Sequence, residues 1–327
     1  MAYSETVLRR AKARLEQARQ QEEDSAARRI AGIYARYPRL REIDVALRAS
    51  VAQAVAAAFA GGEDVALTVE KIKQENLRLQ QERSWLLEAA EIDESDLEMT
   101  PVCADCGGTG YVGERMCQCL KELCRQEQKK ELSSLLGGKE SFESFRLDYY
   151  PSEADKEYGI SPRQLMTRVY DRCRQYARNF GQMGGNLLFS GGTGLGKTFL
   201  SACIARSVAE QGFSVVYDTA GKLFSDFETA KFYAEGEDRE DLTRKYLSCD
   251  LLIMDDLGTE MVTQFTQTAL YQVVNSRLMS GKATVISTNL TSHELEGKYL
   301  PQITSRLLGS YELLLFLGSD IRRMKKG

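Results

Sequence analysis

Apolar positions recur with a helical period up to about residue 98, then lose any period, then resume as short apolar runs alternating with helical stretches. The first stretch, Ala2–Ala35, is rich in Ala, Arg, Glu and Gln and is interrupted at Pro38. A second helix is predicted over about Arg39–Ala60, with Leu40, Ile43, Leu47, Val51 and Val55 on one face and Gly61-Gly62 as its stop. A third, about Glu63–Ala90, places Val65, Ile72, Leu79 and Leu86 seven apart. That stripe suits either a seam for a partner or short coiled coil, or a small self-packed bundle, and the two are compatible. After a Cys/Gly-rich segment (residues 101–120), a short helix is expected over Leu120–Leu136. An aromatic connector, Phe142–Pro151, follows it.

From about residue 160 the pattern alternates. Strands are predicted at Asn186–Ser190, Ser214–Tyr217, Leu251–Asp255, Thr284–Ser287 and Tyr311–Leu317. Helices are predicted at Pro162–Phe180, from the loop after Ser190 to about Gln211, then on to about Leu247, and at Gln264–Met279. Strand–helix alternation implies a parallel sheet covered on both faces. The fold class expected is therefore α/β, preceded by a small cysteine module and a helical region. The expected domains are residues 1–98, 99–136 and 137–327. No fixed-period repeat or low-complexity tract is present.

Charge and composition narrow the function. The chain has 327 residues, 43% hydrophobic and 28% charged, with net charge −4. That balance excludes a generally basic nucleic-acid binder but permits a local basic groove. The N-terminal residues are charged and lack the apolar run of a secretion signal, and no stretch of about 18 apolar residues exists, so a cytoplasmic protein without a membrane span is expected. Of eight cysteines, four lie within Cys103–Cys119, which favours thiols or metal ligands over disulfides.

Gly191-Gly192-Thr193-Gly194-Leu195-Gly196-Lys197-Thr198 fits G-x-x-x-x-G-K-[ST] between an apolar strand and a helix. Glycines let backbone N–H groups wrap phosphates, Lys197 brings charge to the β/γ-phosphates, Thr198 ligates Mg²⁺, and the helix N-terminus favours the anion. These eight residues and Phe199 are the candidate ATP-binding positions. Leu251–Asp256 is an apolar strand delivering two acids. Asp255 is the Mg²⁺ candidate and Asp256 the residue that orients and polarises water. Asn289 ends the next strand, where it reaches toward the γ-phosphate or caps a helix starting near Thr291. Arg306 is either solvated or projects into a neighbouring subunit's site.

Cys103-Ala104-Asp105-Cys106 and Cys117-Gln118-Cys119 flank a glycine-rich turn, C-x₂-C…C-x-C. Such thiolate pairs close a tetrahedral, structural Zn²⁺ site, with Cys124 as the substitute should Cys119 not ligate; surface thiols are the competing reading. The first half also fits one zinc repeat of the J-protein chaperones. That family carries several copies, and this chain carries one.

Taken together, Phe142–Tyr150, Gly191–Thr198, Leu251–Glu260 (LLIMDDLGTE), Ser287–Leu290 (STNL), Ile303–Leu307 (ITSRL) and Ser319–Arg323 (SDIRR) resemble the bacterial replicative helicase loaders of the DnaC/DnaI type. These are AAA+ ATPases, and the resemblance covers about residues 100–327. It implies an AAA+ P-loop core in which Lys197, Asp256, Asn289 (sensor 1) and Arg306 (an arginine finger acting in trans) serve hydrolysis, with Arg322 as a sensor-2-like arginine. It also implies self-association through the core, a hexameric replicative DNA helicase as partner, and single-stranded DNA contact. Lys222 and Phe224 are the local DNA candidates, against a core Phe224 and a solvated Lys222. Asp256 stands where many members carry Glu, which implies slow turnover. The competing functions are a transposition helper ATPase of the IstB type, which has nearly the same core motifs, and a non-catalytic nucleotide-binding scaffold.

Overall fold

The computed structural model describes residues 3–60, 65–136, 140–156, 158–233 and 237–324. The chain divides into two compact units, residues 13–117 and residues 1–12 with 118–327. The expected limits at 98/99 and 136/137 do not coincide with this division.

The N-terminal helices are α1 (Glu5–Arg36), α2 (Pro38–Ala60) and α3 (Val65–Ala89). Pro38 opens α2 because its missing N–H costs nothing in a helix's first turn. Gly61-Gly62, the expected stop of α2, lie outside the described residues. Helices α2 and α3 pack against each other. Leu40 and Leu87 are buried with Ile33, and Arg83 is paired with Asp44 at 2.7 Å. Leu79 is buried on the expected stripe, whereas Ile72 and Leu86 are half-buried. Val51, Val55, Leu67, Leu77 and Trp85 stay exposed. The pair thus packs on itself and still presents apolar side chains outward, and the outer half of the predicted α2 face is not core.

Strands β1 (Tyr111–Val112) and β2 (Arg115–Met116) form a two-residue antiparallel hairpin, followed by α4 (Gln118–Leu136). The next elements are α5 (Pro162–Arg178), α6 (Phe180–Met183), β3 (Leu187–Ser190), α7 (Lys197–Glu210), β4 (Val215–Thr219), α8 (Ala220–Phe232), α9 (Glu237–Ser248), β5 (Leu251–Leu257), α10 (Gln264–Met279), β6 (Ala283–Thr288), α11 (Ser292–Lys298), α12 (Pro301–Ser310), β7 (Glu312–Leu315) and α13 (Ile321–Met324). Strands β3 to β7 form a parallel sheet in the order β4-β5-β6-β3-β7. This is an α/β core built on a parallel sheet.

Strand alternation sends odd and even residues to opposite faces. Leu251 and Ile253 join one core with Met166, Leu200 and Ile204 of α5 and α7. Leu252 and Met254 join the other with Leu223, Phe224, Leu270 and Ile303 of α8, α10 and α12. Two covered faces explain why β5 is an unbroken apolar run rather than an alternating one. Because β3 lies between β6 and β7, the loop after β3 is flanked by the carboxyl ends of both neighbours. Ligands of open α/β sheets bind at such a point. No helix among the described residues is long and apolar enough to cross a membrane.

Candidate nucleotide site and cysteine cluster

Residues 191–196 turn from β3 into α7 with Gly194 at φ +75° and Gly196 at φ +92°. Both are left-handed conformations that a Cβ disfavours. Space demands glycine as well: a Cβ on Gly194 would lie 1.8 Å from Asp320 Oδ1, and one on Gly196 would lie 3.0 Å from the Tyr150 hydroxyl. That hydroxyl donates to the Leu195 carbonyl at 2.8 Å, and the Ile321 amide donates to the Gly194 carbonyl at 3.0 Å. The loop is therefore braced by the aromatic connector on one side and the C-terminal segment on the other.

Gly192, Thr193 and Thr198 are exposed. The Leu195 side chain is buried, and the Phe199 ring packs against Phe145, centroids 5.7 Å apart. Of the nine candidate ATP-binding positions, these two side chains serve packing.

Lys197 is 5% exposed. Its ammonium donates to the Gly191 carbonyl at 2.6 Å, the Gly192 carbonyl at 2.7 Å and Asn289 Oδ1 at 2.7 Å. All three N–H donors are used. Burial lowers its pKa to about 8; the charges of Asp256 and Asp255 oppose this and that of Arg322 adds to it. The capping alternative for Asn289 does not hold. Thr291 caps α11 instead, through a reciprocal pair of bonds with Glu294, and this frees the Asn289 side chain to meet Lys197.

Asp255 is buried, with Tyr217 donating to its Oδ2 at 2.8 Å and Ser287 donating to its Oδ1. Asp256 takes φ +56°, at a register shift between Met254 and Leu257 in the β5–β6 pairing. Beyond the shift Leu257 pairs with Thr288, so β5 runs past the expected end at Asp255. The Asp256 carboxyl pKa is raised, first by burial and then by the Asp255 charge, while Lys197 and Arg322 pull it down. Lys197, Asn289 and the two acids thus converge at the carboxyl ends of β3, β5 and β6, as phosphate and Mg²⁺ chemistry requires.

Residues 172–305 match the family of IstB-like ATP binding proteins. The chain carries an IstB-like ATP-binding domain. Over 211 residues it is 23% identical to the replicative helicase loader DnaC of Buchnera aphidicola subsp. Acyrthosiphon pisum, covering 63% of this chain and 82% of that protein. Over 187 residues it is 27% identical to the chromosomal replication initiator protein DnaA of Aliarcobacter butzleri, covering 57% of this chain and 41% of that protein. The chain thus spans less than half the length of that DnaA. A crystal structure of the DnaC helicase loader aligns with a TM-score of 0.45 at 22% identity, over 54% of this chain and 97% of that one.

Just beyond the matched residues, Arg306 on α12 bonds to Asn275 Oδ1 at 3.0 Å and to the Gln302 carbonyl at 2.9 Å, and lies 4.8 Å from the Tyr271 ring centre. Arg322 is exposed beside Asp320, close enough to shift both Lys197 and Asp256. The DNA candidates do not form a stacking pair. Phe224 is 4% exposed and belongs to the second core, because its side of α8 faces the sheet. The Lys222 ammonium pairs with Asp226.

The segment 103–119 is a separate local construction. The sulfur atoms of Cys103, Cys106, Cys117 and Cys119 all lie within 4.8 Å of one another. Cys103 and Cys117 are 3.8 Å apart, the edge of a tetrahedron whose Zn–S bonds are about 2.3 Å. The Gly110 amide donates to Cys106 Sγ at 3.3 Å, the kind of bond that stabilises a thiolate. The donor set fits zinc, which when bound would crosslink the hairpin. Cys124 is not in the cluster; it is buried, and burial pushes its thiol up to about 11. It is a buried thiol that stands apart from the four grouped sulfurs.

Three features of the IstB-like domain escaped sequence reasoning. Tyr217 and Ser287 hold Asp255, yet in sequence they are ordinary strand residues; strand order and register, which no local pattern shows, put them beside it. Glu260 accepts the Gly258 amide at 2.8 Å and the Tyr299 hydroxyl, fixing the turn after the acids. Arg277 is fully buried, its guanidinium bonded to the Tyr246, Cys249 and Ala283 carbonyls and to Thr284. A basic residue in a helix's last turn gives no sign of that.

Proposed function

We propose that this chain is an ATP-dependent loader of the hexameric replicative DNA helicase onto single-stranded DNA, working in the cytoplasm with hydrolysis as the switch. The observation that carries this is the convergence of Lys197, Asp255, Asp256 and Asn289, together with an Arg306 whose own contacts are on α10 and α12. Lys197 would exchange its loop carbonyls for the β/γ-phosphates. Asn289, released with it, would face the γ-phosphate. Thr198 and Asp255 would hold Mg²⁺, which neutralises phosphate charge when bound. Asp256, with its raised carboxyl pKa, suits orienting and polarising water. Arg306 would complete the site of an adjacent copy, and Arg322 would report from the C-terminal segment.

The exposed apolar side chains of α2 and α3 support a partner-binding role for the N-terminal region, and similarity to proteins named DnaC supports the helicase as that partner. The test is co-purification with the host's replicative helicase, with and without ATP. ATP-dependent capture is expected, and Lys197→Ala should abolish both capture and turnover. Turnover unchanged in Lys197→Ala would leave a non-catalytic scaffold. The IstB-like match favours a second reading, a transposition helper; capture of a transposase and not of helicase would establish it. The cysteine module ahead of the core favours the loader.

A further inference from the structure

Tyr217, Asp255 and Ser287 lie on three adjacent strands, β4, β5 and β6. By strand alternation all three face the side of the sheet that packs α7, since Val215, Ile253 and Val285 on the same parity belong to that core. Asp256 would by strict alternation face the other side. Instead it is left-handed at the register shift, and its carboxylate makes the leading charge interaction with Lys197.

One hydroxyl links these facts. Ser287 Oγ accepts the Asp256 amide at 3.0 Å and donates its single proton to Asp255 Oδ1. The Tyr217 hydroxyl takes the other Asp255 oxygen at 2.8 Å. Ser287 is fully buried, so no solvent competes for these bonds. A buried carboxylate with a donor on each oxygen cannot rotate without leaving one of them unpaired. Thr288 independently accepts the Leu290 amide and donates to the Leu257 carbonyl at 2.6 Å, so the strand ends stay joined without Ser287.

We propose that Ser287, assisted by Tyr217, is a positioning residue that fixes the bulge and aims the paired carboxylates Asp255 and Asp256 at the Mg²⁺–phosphate position beside Lys197. This rests on reading the site as one that binds and hydrolyses Mg²⁺–ATP. Residues that orient a metal ligand typically change metal affinity or activity by about 10–100-fold when removed.

The test uses full-length Ser287→Ala and Tyr217→Phe, each of which removes only a hydroxyl. A fluorescent ATP analogue reports affinity with Mg²⁺ and with EDTA, and steady-state kinetics separate kcat from KM. Affinity in EDTA should stay within about twofold of the parent protein, whereas the Mg²⁺-dependent gain in affinity and kcat should each fall about 10–100-fold in Ser287→Ala. Tyr217→Phe should move both in the same direction, and it carries the test should Ser287→Ala fold poorly. Variants that melt at lower temperature but keep the Mg²⁺ gain and kcat would overturn the proposal by showing a purely structural hydroxyl. Lys197→Ala separates the two levels: if it leaves nucleotide affinity unchanged, the ATP reading falls and this proposal falls with it.

Discussion

Lys197 is a cation kept in a buried place by two carbonyls and one amide oxygen. Such an arrangement is costly in the charged form, which is why its pKa falls to about 8 from an ordinary value near 10.5. The group is charged below that value and neutral above it. The phosphate contact needs the charge, so ATP affinity should be constant up to about pH 7 and weaken as pH rises through about 8. Titrating nucleotide affinity from pH 6.5 to 9.5 checks this, and an affinity indifferent to pH across that window would contradict it. Asp256 shows why residue chemistry was only partly legible. Its identity and place after an apolar strand announced an acid for hydrolysis. Its left-handed backbone is held by Ser287 on the neighbouring strand, and its carboxyl pKa is raised first by burial and then by the Asp255 charge, against the pull of Lys197 and Arg322; of these only Asp255 is its neighbour in sequence. Phe224 makes the opposite point: Lys beside Phe matched a stacking contact in composition, but the helix phase turned the ring into the core.

The elements were more legible than the residues. Gln264–Met279 has the bounds expected of it, and the structure shows Thr263 capping its start and Ser280-Gly281 following its end. Strand ends were less so: β5 continues to Leu257 through a bulge that only its pairing with β6 reveals. At this scale the cysteine hairpin is the sharpest feature. Its strands are two residues each, too little apolar material to hold a hairpin in water, and a metal held by the four cysteines would supply the constraint. Elemental analysis of purified protein should find about one zinc per chain. Cys103→Ser and Cys119→Ser should each lower that content and sensitise the segment to proteolysis between residues 101 and 120. Folded, active protein without bound metal would count against the site.

At the scale of the whole molecule, the residues proposed to serve hydrolysis lie in two places. Lys197, Asp255, Asp256 and Asn289 meet at the carboxyl ends of the inner strands, while Arg306 is occupied with Asn275, Tyr271 and Gln302. If a finger acts between copies, Arg306→Ala should bind ATP within about twofold of the parent protein and lose turnover by about a thousand-fold or more. Mixing it with Lys197→Ala should recover part of the turnover, because the intact arginine of one variant can serve the intact P-loop of the other. Equal turnover in Arg306→Ala and the parent would show that the arginine is structural.

By itself the sequence determined whatever is local: the P-loop's glycines and lysine, the apolar strand that ends in two acids, the spacing of four cysteines, the α/β alternation. Each is written within some twenty residues, where backbone freedom and periodicity act directly. The tertiary structure alone decided which groups hold Asp255, what Lys197 bonds, why Gly196 must be glycine beside Tyr150, that Cys124 stays out of the cluster, and that Arg277 is buried. Those outcomes depend on strand order and helix phase, which bring together residues tens of positions apart and which no local pattern encodes.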